Sequence, residues 1–540
     1  TNSNWDEPSN WSLGVVPITG SNATVLAVSP GGNDPIINTP TTIDYLLQNF
    51  GIITVNADVS NTFQFVNFDN ATVINNASFN NSGTFDFGNA GTFENNAIVN
   101  NIGVIANTGN GIFNNNAGSA LNNMGVINNF ATINNMGNII NDGTLLNVIT
   151  LINTGTITNN NILDNNAGAN LDNSAGIIIN SLCAKTFQKS TNAITGTFIN
   201  NGSITITTVG KNGLYLQGGT FTNNAGKTIT ITNVGGGDTG ADYVYMDDNG
   251  GTGAIFHNHG ELDITMTGVD DGIYIRDGSA LTNHSTGEIE IVATGAGDMP
   301  LHIVGGSGLA TPSTLDNAGT FTINGNGTTD YGIQIDGANT STTATTTAIL
   351  INSGTLTVND AGDNSSDDGI RIRRSGMMTN NAGGVVNIIN AKDEGIQIED
   401  ANYSTAVFNN SGTVNITTPA DHGMELFGTF NNLTGGTYQV TGAADDGVRM
   451  RNTAVFNNDG AIKISGSGSD DIETDQLVFA NTSNATFAIG DSVGELEIRD
   501  DLDLGASTVT FDINGTTHTT DFDRIQFNHN IPKLSYRIAA

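Results

Sequence analysis

The chain has 540 residues and a formal net charge of −36, with 13% charged residues, 68 glycines, 9 prolines and one cysteine, Cys183. That balance excludes a nucleic-acid-binding surface, which needs clustered Lys and Arg, and it excludes an intrachain disulfide framework or a thiol-rich metal centre. No apolar run approaches the roughly 20 residues of a bilayer-spanning helix, so no membrane insertion is expected, and 37% hydrophobic residues spread along the chain argue against disorder.

Residues 1–60 carry both tryptophans, Trp5 and Trp11, and several prolines. They break the repeat that follows and are expected to form an N-terminal cap with the opening strands. Thr1 leads directly into polar sequence, which fits a mature secreted chain numbered after processing and equally a fragment of a larger protein.

From 61 to 203 a short phrase returns: NAGTFENN (89–96), NMGVINN (123–129), NTGTITNN (153–160) and NAGANLDN (166–173). Val73, Phe93, Phe113, Ile133, Ile152 and Leu171 mark a period of about 20 residues. Each period holds three short apolar-alternating runs separated by Asn/Gly turns, too short for helices and right for strands. Three strands per period describe one coil of a right-handed parallel β-helix, an all-β solenoid in which each strand pairs with its equivalents one coil away. Inward Phe, Ile, Val and Leu would stack into apolar columns, Gly and Asn would accept left-handed corner conformations, and asparagines repeated at one corner would form an amide ladder. No Lys or Arg precedes Lys185, so trypsin-like enzymes would find no cleavage site there.

From 204 to 490 the coils lengthen and acquire a second phrase, as in DDGIYIRDG (270–278), DDGIRIRRSG (367–376) and DDGVRMRN (445–452). Its third residue, the anchor position of each coil, falls at Gly213, Tyr243, Gly272, Pro300, Gly332, Gly369, Gly395, Gly423, Gly447 and Asp471. With the smaller coils this makes roughly 17 coils, a rod of about 80 Å at a strand spacing near 4.8 Å. Residues 491–540 read as longer alternating strands, a C-terminal cap or subunit contact. Open solenoid ends predict self-association, end to end into a filament.

An acid stands two places before the anchor in seven successive coils: Asp270, Asp298, Asp330, Asp367, Asp393, Asp421 and Asp445. Carboxylates one coil apart repel, so something must offset them. One reading is an Asx-turn in which each Asp accepts backbone N–H groups. The other is Ca²⁺ held between rungs, with added oxygens from Asp271, Asp368 and Asp446; no other cofactor is called for. Seven equal rungs give no reason for one to be catalytic, and no catalytic residue is assigned.

After the anchor position the residues alternate, with Ile273 and Ile275, Ile333 and Ile335, Ile370 and Ile372, and Ile396 and Ile398 pointing inward. Tyr215, Tyr245, Tyr274 and His302 then form an outward column on successive coils that could receive sugar rings, beside Arg276. Arg371, Arg373, Arg449 and Arg451 share that face with Asp247, Asp336, Glu399 and Glu425, readable as cross-strand salt bridges or as a surface for an acidic glycan. His257 and His259 are the one close histidine pair, and no metal is assigned there.

The opening NWDEPSNWSLGVVPITGSNATV (4–25) and the closing FDINGTTHTTDFDRIQF (511–527) resemble the corresponding segments of bacterial secreted parallel β-helix proteins, the group of filamentous adhesins, autotransporter passengers and pectate-lyase-like enzymes. The resemblance covers essentially the whole chain and implies architecture more than activity. Polygalacturonase-type members pair an NTD motif with DD, GHG and RIK; only DD occurs here, and the calcium-binding nonapeptide repeat is missing. The expectation is a non-enzymatic structural or adhesive protein of a bacterial cell surface, with a polysaccharide lyase or hydrolase, or a glycan-binding protein, as the alternative.

Overall fold

The structure is a computed structural model that describes residues 4–10, 15–17, 22–26, 34–86, 91–160, 162–165, 169–173, 177–180, 185–186, 196–207, 212–232, 242–248, 251–267, 271–294, 299–306, 311–327, 329–337, 347–399, 405–451, 454–474, 478–482, 485–489, 495–498, 508–510 and 524–527. Among them are short β-strands and one 3₁₀ turn, Pro8–Asn10. The chain divides into two compact units, Thr1–Ala241 and Asp242–Ala540. Cys183, Trp11, Asp270 and Asp298 lie outside the described residues.

In the first unit the strands pair in parallel, those inside the stack with strands one coil before and one coil after. Thr92–Asn95 lies between Thr72–Asn75 and Ile112–Asn115, in register. Most strands have four residues that alternate outward and inward, so each contributes one apolar side chain and a terminal asparagine to the interior. Stacked over successive coils these make columns such as Ile53, Val73, Phe93, Phe113, Ile133, Leu151, Leu171, Phe198 and Phe221, all buried. This is a parallel β-solenoid. The column corrects one sequence assignment: Leu151 is inside, while Ile152 pairs with Asn134 and faces outward. The coil from Ile133 to Leu151 is two residues shorter than its neighbours, and placing the inward residue at 152 instead of 151 is a one-residue slip that inverts the side chain. The parallel ladders also reach into residues 1–60, since Ala23–Val25 pairs with Leu47–Asn49 and Thr41–Ile43 with Val59–Asn61.

The terminal asparagines form continuous buried ladders at all three corners of the first unit, where the sequence suggested one. Asn75, Asn95, Asn115, Asn135 and Asn153 are linked from each Nδ2 to the next Oδ1 at 2.7 to 2.8 Å. Asn61, Asn81, Asn101, Asn123 and Asn141 do the same at a second corner, and Asn107, Asn129, Asn147 and Asn165 at the third. Each Nδ2 also donates to a backbone carbonyl, as Asn95 does to Ala120 at 3.1 Å.

Several corner glycines are required by crowding. A Cβ on Gly125 would lie 2.1 Å from the carbonyl oxygen of Gly103 one coil away, and one on Gly369 would lie 2.6 Å from that of Gly395. The anchor glycine therefore marks close backbone approach between coils, in place of the left-handed conformation expected from sequence. Left-handed backbone occurs elsewhere, at Gly118 (φ 82°) and at Asn70 and Asp277.

The second unit repeats the plan with larger coils. Ile273, Leu301, Ile333, Ile370, Ile396, Met424 and Val448 form one inward column, and Ile275, Ile303, Ile335, Ile372, Ile398, Leu426 and Met450 another, all fully buried. One asparagine ladder runs through Asn258, Asn283, Asn317, Asn352, Asn380, Asn410, Asn432 and Asn458. At the sheet that opens each coil the corner is acidic instead.

Replacing Asn115 by Ala leaves the Nδ2 of Asn95 and the Oδ1 of Asn135 without their ladder partners, a cost of about 1–3 kcal/mol per buried unsatisfied group. Outward Asn114→Ala removes only half-buried bonds to Glu94 and Asn134 and should stay within about 0.5 kcal/mol. Native-state hydrogen exchange should show loss of protection in the coils beside Asn115 and little change for Asn114→Ala.

Candidate ligand-binding face

The parallel strands Val244–Asp247, Ile273–Ile275, Leu301–Val304, Ile333–Asp336, Ile370–Arg373, Ile396–Glu399, Met424–Leu426, Val448–Met450 and Ile472–Thr474 form one sheet of the second unit. Inward Ile and Val fix every strand, so the residues between them must point out. One outward column reads Tyr245, Tyr274, His302, Gln334, Arg371, Gln397, Glu425, Arg449 and Glu473. It begins aromatic and becomes charged.

At the aromatic end the Tyr245 and Tyr274 rings lie 5.4 Å apart, tilted 36°, and those of Tyr274 and His302 lie 4.9 Å apart, tilted 50°. Tyr215 sits on Leu214–Gln217 of the first unit and is half-buried. The three rings of the second unit touch one another, which covers part of each face and leaves their polar tips outward. The Tyr245 hydroxyl donates to Asp247 Oδ2 at 3.3 Å. Burial pushes the Tyr274 phenol up to about 12 and raises that of Tyr245, so both remain neutral donors at physiological pH. His302 is held at both nitrogens: Nδ1 lies 3.0 Å from Asp271 Oδ2 and Nε2 lies 3.0 Å from Gln334 Nε2. A carboxylate only accepts and an amide nitrogen only donates, so Nδ1 carries the proton and the Nε2 lone pair is already used.

The arginines are held by acids. Arg276 lies 2.5 Å from Asp277 and 3.7 Å from Asp247. Arg373 grips buried Asp336 through Nε and Nη2 at 2.9 and 2.7 Å, and Arg374 adds a contact at 3.0 Å. Arg449 pairs with Glu473 at 3.3 Å and Arg451 with Glu425 at 3.0 Å. Arg371 donates to the Tyr331 hydroxyl and lies over that ring, 4.8 Å from its centroid.

Of the acids two places before the anchor, Asp330 is exposed, Asp367 is buried, and Asp393, Asp421 and Asp445 are half-buried. Asp367 Oδ2 accepts from the backbone N–H groups of Asp363 and Asn364, which precede it in the chain. This is not the forward-reaching Asx-turn expected, because the loop before the strand folds back over the carboxylate. The buried column is the neighbouring one: Asp242, Asp271, Asp368, Glu394, His422, Asp446 and Asp470 are all within 7% of full burial. Where its geometry is regular, each side chain accepts the backbone N–H of its counterpart in the next coil: Asp271 to Asp242 Oδ1, Met299 to Asp271 Oδ1, Asp446 to His422 Nδ1 and Asp470 to Asp446 Oδ1, at 3.0 to 3.2 Å. The sequence suggested only an auxiliary role for Asp271, Asp368 and Asp446 and did not single out Glu394 and His422, although the triplets DEG and DHG place them at the same position as the second acid of DDG.

Burial dominates the electrostatics here. It raises Asp393 to about 8, helped by Glu394, and Glu394 to about 9, helped by Asp368. It also raises Asp446 to about 8, with the Glu473 side chain adding to the effect, and lowers His422. Among the described residues, five groups of three acids or histidines have ligand atoms within 4.8 Å of one another, including Asp368, Asp393 and Glu394, and Glu394, His422 and Glu425. Away from this sheet, His284 from the next coil joins the sequence pair: its Nε2 lies 3.3 Å from His257 Nδ1, and its ring stacks on His259 at 3.7 Å.

No protein-family model matches the chain, and no curated protein matches it. Among solved structures, a crystallised fragment of TibA hyper-glycosylated by TibC is similar at 12% identity, with 80% of this chain and 100% of the fragment covered and a TM-score of 0.15. The strand register given above establishes the fold independently of that likeness.

Because Asp393, Glu394 and Asp446 hold protons in the folded chain that ordinary carboxyls near 4 release, the native state binds more protons than the unfolded state between about pH 4 and pH 9. Their contribution to stability is present below pH 4 and is lost as pH rises through 8 to 9. In chelator-containing buffer the melting temperature should fall from pH 5 to pH 9. Asp446→Asn should flatten that slope; a slope unchanged by the substitution would count against the assignment.

Proposed function

We propose that the chain is a non-enzymatic extracellular protein of a bacterial surface, structural or adhesive in role. The observation that carries this reading is that the groups a catalyst would keep free are already committed. The His302 lone pair is occupied by Gln334, Arg373 and Arg374 are spent on Asp336, and Arg451 is spent on Glu425. A surface depression of about 310 Å³ in the first unit is lined by Asn114, Asn116, Asn134, Asn135, Met136, Ile152 and Thr154, with no acid, base or activated nucleophile. The coils spend their repeated residues on scaffold: apolar columns, amide ladders and close-packed glycines.

Durability and surface exposure fit this role. The first 184 residues contain no Lys or Arg, and the buried ladders oppose the local opening that proteases need. Self-association through open solenoid edges, and adhesion to a glycan through Tyr245, Tyr274 and His302, belong to the same proposal, with Arg276 as a further contact. Stacked, neutral phenols with outward hydroxyls offer a sugar both an apolar edge and donors.

The full chain should resist prolonged trypsin digestion under native conditions, keeping the 184 residues before Lys185 intact, and should turn over no polysaccharide in an acidic and neutral panel. Cleavage of any member of that panel, abolished by Asp271→Asn and Arg276→Ala, would replace this reading with an enzyme. On a glycan array, binding lost in a Tyr245→Ala, Tyr274→Ala double variant would place adhesion on the aromatic column; binding unchanged in that variant would remove the column from the proposal. Electron microscopy at high concentration should show end-to-end assemblies.

A further inference from the structure

Along the buried column beside the anchor position, Glu394 departs from the pattern of the regular members. Asp271, His422 and Asp446 each accept a backbone N–H from the next coil. Glu394 makes no such bond, and its Oε2 is buried without a hydrogen-bond partner, in a residue only 4% exposed. Glu394 also belongs to a group in which Asp368, Asp393 and Glu394 each place a carboxylate oxygen within 4.8 Å of the others. Asp368 and Glu394 come from adjacent coils, whose strands Ile370–Arg373 and Ile396–Glu399 pair directly. Without a cation the group is satisfied only by retaining protons, as the raised Asp393 and Glu394 do; once ionised, three carboxylates bring no donors, and a cation takes the protons' place.

We propose that Asp368, Asp393 and Glu394 hold one divalent cation of the calcium class between these two coils. All the donors are hard oxygens, and three carboxylates offer up to six of the six to eight ligands that calcium takes. Half-buried Asp393 opens the site to solvent and to water ligands. The neighbouring group of Glu394, His422 and Glu425 suits a borderline metal less well than its composition suggests. Its His422 Nε2 already faces Arg449 at 3.1 Å, and Glu425 is bonded by Arg451 and Gln397. The site is confined to this pair of coils, whereas the sequence suggested calcium along the whole outer acid ladder, because here an unmet buried oxygen coincides with three converging carboxylates.

The test uses the full chain stripped with chelator and titrated at pH 7.5 with Ca²⁺, Mg²⁺ or Zn²⁺, reading heat of binding, melting temperature and sensitised Tb³⁺ luminescence. One Ca²⁺ per chain should bind and raise the melting temperature. Glu394→Gln and Asp393→Asn should each weaken Ca²⁺ at least tenfold, while Asp445→Asn on the outer ladder should leave it unchanged. Should Glu394→Gln alter folding, its melting temperature in chelator and its Tb³⁺ signal separate lost structure from lost ligand: a native melt without Tb³⁺ binding supports the site. Absence of Ca²⁺ binding, or binding retained in Glu394→Gln, overturns the proposal. Zn²⁺ binding in place of Ca²⁺, abolished by His422→Ala, overturns it as well by moving the ligand to the other group.

Discussion

The structure depends on the amide ladder that runs down the corners of the coils. An inward asparagine must be both donor and acceptor in the same direction, and its side chain is the shortest that can be. Asn95 accepts from Asn75 and donates to Asn115 and to the Ala120 carbonyl, so its polar capacity is met although it is fully buried. Aspartate could not replace it, since it would bring acceptors alone and like charges one coil apart. Small coils with only a few apolar side chains each can therefore close sharp corners without burying unsatisfied groups.

Where the second unit departs from this solution, its chemistry begins. At the corner before the outward face, acids replace asparagines, and the donor they require comes from the backbone of the next coil, as Met299 supplies to Asp271. The arrangement tolerates a buried column of like charge because burial raises the acids and protons remain on them, as at Asp446. Its charges are then matched on the outer surface, where Arg373 and Arg374 clamp Asp336 and Arg451 meets Glu425. A face that looks ready for ligand is largely occupied by its own counter-charges, and its aromatic end is a stack of Tyr245, Tyr274 and His302.

Much of the architecture was legible because a solenoid writes its three-dimensional contacts into a linear period. The alternation around Phe93 and Phe113 and the asparagine that ends each strand place core, surface and corner correctly from spacing alone. Errors arose where the period itself varied: at a shortened coil Ile152 is read as the inward residue in place of Leu151, a one-residue slip that inverts the strand. The glycines were recognised as necessary but for the wrong reason, since the proximity of Gly369 to the Gly395 carbonyl exists only once the coils are stacked.

For the acids, sequence determined that they recur and at which offset from the anchor position. It could not decide which of two adjacent acids is buried, because consecutive residues at a corner have no fixed alternation; the fold sends Asp368, Glu394 and Asp446 inside and leaves Asp393, Asp421 and Asp445 at the rim. Nor could it reveal that Glu394 breaks the hydrogen-bond pattern of its column, or that His284 meets His257, since both depend on distances between coils. The sequence by itself thus determined the solenoid, its columns and its ladders, which follow from repetition. Tertiary structure decided which polar groups are satisfied, because that depends on what the next coil brings within about 3 Å.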